Sequence, residues 1–208
     1  MRPNICYHNI ISLTKEAKSE TIKPMSIIQK IYTFLIDIVE TLLLAAAVFL
    51  VVYVFLFRPF QVNGTSMYPN FTDNEYILTN IIVLNFEQPK KGEVIVFKAP
   101  PDPEKDFIKR VIAIPGDKIY VKDGSVFLNG EKLDESKYLK SDIKTYGGAF
   151  LKEGQEIEIP QDSYFAMGDN RSYSSDSREW GFVPKKSIIG KSFFVYWPPG
   201  KMRIVKSP

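Results

Sequence analysis

Histidine and cysteine are almost missing from this chain of 208 residues, which holds only His8 and Cys6. One cysteine cannot close an intrachain disulfide, and one cysteine with one histidine cannot assemble a structural zinc site. Whatever globular part the chain has must be stable without staples or zinc. Excess charge is also scarce. The net charge is +3, lysine and arginine are interspersed among acids, and no basic stripe alternates with aromatics, so no nucleic-acid partner is indicated. Repeats and low-complexity tracts are absent, as is any amphipathic helical pattern of confident length beyond residue 57.

Hydrophobic content is 45%, and its most concentrated part is an uncharged run over residues 41–57. That run is 17 residues long, at the short end of the ~17–25 that cross a hydrocarbon core. Ile36, Ile38 and Val39 lengthen it, admitting Asp37 and Glu40 near one end. Leu-Leu-Leu-Ala-Ala-Ala-Val-Phe-Leu-Val-Val has no polar face, which disfavours a core helix. No small-x-small cleavage site follows the run, which reads as an uncleaved anchor rather than a removed leader. Lys15, Lys18, Lys23 and Lys30 precede it and Arg58 is the one basic residue in the next thirty or so positions, a bias that puts the N-terminus in the cytoplasm. The expected organisation is a cytoplasmic tail over residues 1–31, a transmembrane anchor over 32–57 and an extracytoplasmic domain over 58–204, with an inserted β excursion at 115–162. Residues 1–24 read as a dispensable tail or a misassigned start.

Beyond the anchor the pattern is that of strands. Runs at 76–79, 93–97, 107–114, 163–167 and 192–197 are rich in β-branched and aromatic residues and bounded by Gly, Pro or Asp. Runs at 118–122 and 125–128 flank Asp123-Gly124, a hairpin signal. The expected fold class is mostly β, an antiparallel sheet domain with a small β excursion, preceded by one N-terminal transmembrane helix.

Ser66 follows the anchor by nine residues, in Asn63-Gly64-Thr65-Ser66-Met67-Tyr68-Pro69. This segment is built to turn tightly and to present backbone N–H groups to an oxyanion. It lacks the second glycine of the Gly-x-Ser-x-Gly elbow, so the α/β-hydrolase fold is not indicated. His8 lies on the other side of the anchor, which excludes a Ser-His-Asp triad. A lysine is available. Alternation along Phe107-Ile108-Lys109-Arg110-Val111-Ile112 puts Lys109 on one strand face with Phe107 and Val111. Desolvation by such neighbours lowers a lysine toward the range in which it acts as a base. Arg110 points to the opposite face and stays charged. The bland alternatives are a structural turn serine and a lysine snorkelling from a sheet edge. A third segment, residues 167–184, is too rich in turn formers for a strand, and long loops within compact domains are more often functional than idle.

In order and spacing, these three segments resemble the signature segments of type I signal peptidase: Ser66 in Gly64-Thr65-Ser66-Met67-Tyr68-Pro69, Lys109 in Phe107-Ile108-Lys109-Arg110-Val111-Ile112-Ala113-Ile114-Pro115-Gly116-Asp117, and Gly168-Asp169-Asn170-Arg171 through Asp176-Ser177-Arg178-Glu179-Trp180-Gly181. The likeness covers roughly residues 30–200. It implies a membrane-anchored serine endopeptidase, with Ser66 as nucleophile and Lys109 as general base, that removes signal peptides from exported preproteins at the lipid bilayer through an acyl-enzyme. No metal or other cofactor is implied. Ser174 matches a second serine that hydrogen-bonds the lysine amine. Asp169 with Arg110, and Asp176 with Arg178, match charged pairs that shape the site, and Met67 matches a residue packed beside the dyad. Gly64 stands where some members carry an oxyanion-hole serine, so the second oxyanion donor is unnamed. Asn70 and Tyr173 depart from the usual residues and read as peripheral. The alternatives are a dedicated Ser-Lys processing protease with another substrate, and an inactive tethered β-domain that only binds exported chains.

Overall fold

The computed structural model describes residues 26–205, with the side chains of residues 54 and 55 left aside. His8, Cys6 and the lysines at 15, 18 and 23 lie outside the described residues. The chain divides after Val48 into two compact units.

Helix α1 (Ile27–Leu56) starts where Ser26 and Gln29 form a reciprocal capping box. The Ser26 hydroxyl accepts from the Gln29 N–H at 3.2 Å and the Gln29 side chain accepts from the Ser26 N–H at 3.0 Å, so two orphan donors of the first turn are satisfied. Its apolar side chains are exposed, with Leu42, Leu43 and Leu44 all above 60%. Among the described residues this is the one helix long and apolar enough to cross a membrane, over Ile27–Tyr53. Those 27 residues rise about 40 Å at ~1.5 Å each, more than the ~30 Å of a hydrocarbon core.

The second unit is mostly antiparallel sheet, the fold class expected from the sequence. Its strands in chain order are β1 (Phe57–Gln61), β2 (Tyr76–Asn80), β3 (Val94–Ala99), β4 (Asp102–Ala113), β5 (Lys118–Lys122), β6 (Ser125–Leu128), β7 (Glu131–Lys132), β8 (Ile157–Glu158), β9 (Ser163–Met167), β10 (Val183–Pro184), β11 (Ile188–Trp197) and β12 (Arg203–Ile204). The larger sheet runs β1-β2-β11-β3-β4-β9-β10 with β12 added to β11, and the smaller runs β7-β6-β5-β8. Phe57, counted with the apolar run in the sequence, opens β1 opposite Asn80. The hairpin expected at Asp123-Gly124 forms, both residues having positive φ (51° and 73°) as a type I′ turn requires. Across it Tyr120 and Phe127 stack at 4.8 Å.

Strand β3 is buried on both faces, which is why Val-Ile-Val-Phe reads as a continuous apolar run rather than an alternation. Val94 and Val96 join Val62, Met67, Phe71 and Ile77 in one core cluster, while Ile95 and Phe97 join Val111 and Tyr164 in another. A third cluster welds the smaller sheet to β4 and β9 through Ile112, Ile119, Val121, Phe165 and Met167.

Candidate active site

Ser66 lies in the loop between β1 and β2. The neck of this loop is closed by Val62 N–H to the Glu75 carbonyl at 2.7 Å and Asn74 N–H to the Val62 carbonyl at 2.8 Å. Met67 and Phe71, each nearly inaccessible, root it in the first core cluster. The turn into the serine needs Gly64 at φ +89°, a left-handed backbone that side chains resist. The Gly64 N–H donates to Asp73 Oδ1 at 2.7 Å, so it is not the missing oxyanion donor in this state. Among the described residues no protein acceptor meets the Ser66 N–H.

Lys109 reaches the serine from β4, its Nζ 2.6 Å from Ser66 Oγ. The lysine is 4% exposed and its ammonium lies 5.2 Å from the Phe107 ring centre, on the strand face that alternation assigns to both. Burial pushes the Lys109 amine down to about 8, against the opposing pull of the Asp176 and Asp169 charges. Register explains how the residue is both buried and approachable. β3 pairs with β4 along its length, Ile95 opposite Lys109, but β9 begins only at Arg110, opposite Met167. Among the described residues, the other edge of β4 from Asp102 to Lys109 therefore has no strand beside it.

The third segment wraps the dyad. Arg110 donates to both oxygens of Asp169, at 2.8 and 2.7 Å, and to the Gly92 carbonyl at 2.7 Å, and its guanidinium lies over the Tyr138 ring at 4.2 Å. Asp176 accepts from the Arg178 side chain at 2.9 Å and from the Gly168 N–H at 3.0 Å. Both pairs are buried and bidentate, the geometry in which a buried ion pair is best compensated. Gly168 is required by contact: a Cβ there would sit 2.2 Å from Ser174 Oγ and 2.3 Å from the Ser66 carbonyl oxygen. Ser174 Oγ is buried without a hydrogen-bond partner, so the bond to the lysine amine implied by the resemblance is not formed in this structure.

Three supporting contacts were not read from the sequence. Asn170, quoted in its motif without a role, donates from its backbone to the Ser66 carbonyl and from its side chain to the Thr65 carbonyl, both at 3.0 Å. Asn70, set aside as peripheral, donates to Asp169 Oδ2 at 2.8 Å and to the Tyr138 carbonyl at 2.7 Å, tying the serine loop to the buried pair. Tyr173, set aside with it, is 77% exposed and does lie outside. Arg171, buried, pairs with Glu135 from the excursion. Nothing in the charged stretch around Glu135 singles that acid out.

Residues 35–197 match the family model described as signal peptidase, peptidase S26. The chain is similar to signal peptidase IB of Staphylococcus aureus, 32% identical over 176 residues that cover 78% of this chain and 91% of that protein. It is similar to signal peptidase I of Bacillus amyloliquefaciens, 34% identical over 175 residues covering 82% of this chain and 92% of that protein. A solved signal peptidase I from Enterococcus faecalis V583 aligns at 25% identity with a TM-score of 0.40, over 50% of this chain and 97% of that one.

Proposed function

The chain belongs to the peptidase S26 family of signal peptidases and is a signal peptidase I acting on preproteins, and from that premise we propose that Ser66 and Lys109 are its catalytic dyad. The observation that carries this reading is the 2.6 Å separation of Lys109 Nζ and Ser66 Oγ within a buried site. When charged, the amine donates to the serine oxygen. When neutral, it accepts the hydroxyl proton as Ser66 Oγ attacks the scissile carbonyl. The unsatisfied Ser66 N–H is one donor to the oxyanion. The Lys109 ammonium then protonates the leaving amine as the C–N bond breaks. Water, deprotonated by the same amine, hydrolyses the acyl-enzyme. Ser174, whose hydroxyl lacks a partner, orients the amine as it gains and loses its proton. Arg110 with Asp169, and Asp176 with Arg178, hold the 168–182 segment against the dyad.

The preprotein binds extended along the unpaired edge of β4, where backbone hydrogen bonds supply affinity that is blind to sequence and shallow pockets select small side chains at the first and third positions before the cut. The free edge ends at Lys109, which brings the bound backbone to the base. Residues 32–57 anchor the enzyme in the bilayer, residues 1–31 are cytoplasmic, and residues 58–204, with 115–162 as an inserted excursion, work on the outer side. The lysine bias before α1 and its exposed apolar surface support this arrangement.

The test is cleavage of a preprotein with small-x-small before its cut site by the full chain in detergent. Ser66→Ala and Lys109→Met each abolish cleavage while the domain stays folded, and the double variant loses almost nothing more, because groups that act as a unit are not additive. A folded Lys109→Met enzyme with normal turnover would overturn the dyad.

A further inference from the structure

The far half of the serine loop is clasped by the segment that follows β11. Arg203, on β12 opposite Val195, donates to both oxygens of Glu75 at 3.0 and 2.7 Å and to the Asn70 carbonyl, with its guanidinium 5.7 Å from the Phe71 ring centre. Beside it Lys201 Nζ donates to Thr72 Oγ1 at 2.8 Å. Glu75 is 1% exposed, a buried acid that also accepts from the Thr72 N–H at 3.1 Å. Burial alone would raise its carboxyl, but the Arg203 guanidinium and the Thr72 N–H outweigh that and hold it below the ordinary range.

Asn70 is where this clasp meets the catalytic machinery. Its carbonyl accepts from Arg203 while its side chain donates to Asp169, the partner of Arg110 next to Lys109. The turn holding Ser66 closes on the same residues through the Phe71 N–H and Met67 carbonyl at 2.9 Å. One end of the turn is fixed by Asn170 on the Thr65 and Ser66 carbonyls, the other by Arg203 on Asn70 and Glu75. We propose that Arg203 is a positioning residue for the nucleophile: by bridging Glu75 and the Asn70 carbonyl it keeps Ser66 Oγ within bonding distance of Lys109 Nζ, without touching substrate. The role rests on the Ser66–Lys109 reading. Its expected size follows from the steepness of catalysis with geometry, since a misplacement of about 1 Å costs on the order of 100-fold.

The test is steady-state kinetics of the full chain in detergent on a soluble small-x-small peptide, with Ser66→Ala alongside. Arg203→Ala is expected to lower kcat at least 10-fold per folded molecule with KM changed less than 2-fold, and millimolar guanidinium ion should restore part of the loss there but none in Ser66→Ala. Arg203→Lys keeps the charge beside Glu75 but replaces the planar fork, whose two nitrogens meet the two Glu75 oxygens, by a single shorter-reaching nitrogen, so its kcat should be intermediate at a near-native melting temperature. Full kcat in Arg203→Lys, or a loss in Arg203→Ala that only tracks the unfolded fraction and ignores guanidinium, overturns the proposal. If Ser66→Ala retains turnover, the dyad reading fails instead, and the two failures are distinct.

Discussion

In the proposed dyad, Lys109 serves catalysis at the expense of the fold. An ordinary lysine near 10.5 leaves only a trace of free amine at neutral pH, whereas one held at about 8 leaves roughly a tenth. The acidic limb of kcat/KM should therefore turn near 8, falling tenfold per pH step below it, on a soluble small-x-small peptide; a limb that climbs toward 10.5 would reject desolvation as the activating cause. The same displacement is destabilising. Below pH 8 both folded and unfolded chains carry the proton and the full cost, roughly 3 kcal/mol, is present; between 8 and 10.5 the folded chain releases it first and the cost fades. Lys109→Met is thus expected to be inactive yet about 2–3 kcal/mol more stable than the parent at pH 7, with the gain vanishing by pH 10.5, as measured by urea unfolding across pH. Gly168→Ala should act the other way. Its Cβ would overlap the Ser66 carbonyl and Ser174, so a loss of about 100-fold in kcat with a lowered melting temperature is expected. The sequence made Lys109 visible because alternation is a local property of one strand. It hid the roles of Asn70 and Asn170, whose partners lie 99 and 105 positions away. No local pattern encodes such distances.

Among the elements, strands of four residues or more were legible apart from β1, and the two-residue ones were not. The 163–167 run is β9 as read, but β4 and β11 extend well before the apolar runs that marked them. β4 begins at Asp102, which pairs with Ala99, and rejoins β3 at Asp106 opposite Lys98, with Pro103, Glu104 and Lys105 in the irregularity between them, a start that composition does not announce. The two-residue strands β7, β8, β10 and β12 exist only because a neighbour supplies their ladder. At both ends of the larger sheet stands a proline, Pro59 in β1 and Pro184 in β10, as expected of edges that must not recruit another chain. The join between β4 and the 168–182 segment depends on Arg110 and Asp169. Asp169→Ala leaves a guanidinium buried at 2% side-chain exposure, and a loss of about 3–5 kcal/mol in domain stability is expected by urea unfolding. A loss below 1 kcal/mol would show that the pair contributes little to holding the segment.

At the scale of the molecule, the long apolar helix was readable because seventeen uncharged residues in a row leave no polar face. Its true start was not, since Ser26 and Gln29 cap the helix through a local exchange of bonds lying outside the apolar run. If the chain is oriented as proposed, external protease on intact spheroplasts should digest the region after Phe57 and spare an N-terminal tag; the opposite pattern would reverse the topology. The open side of β4 has a further consequence if the apolar helix anchors the chain in a membrane. On the proposed reading, a strand edge offered to preproteins is equally offered to a second copy of the enzyme, and an anchor that confines both copies to two dimensions would raise the rate of such meetings. Pro103, Glu104, Lys105 and Asp106 are exposed where β4 begins, and an irregular, charged start with a proline disfavours a long zipper between copies. If that edge is the docking edge, the charges beside it let the enzyme be crowded without the edge becoming a seed for its own polymer.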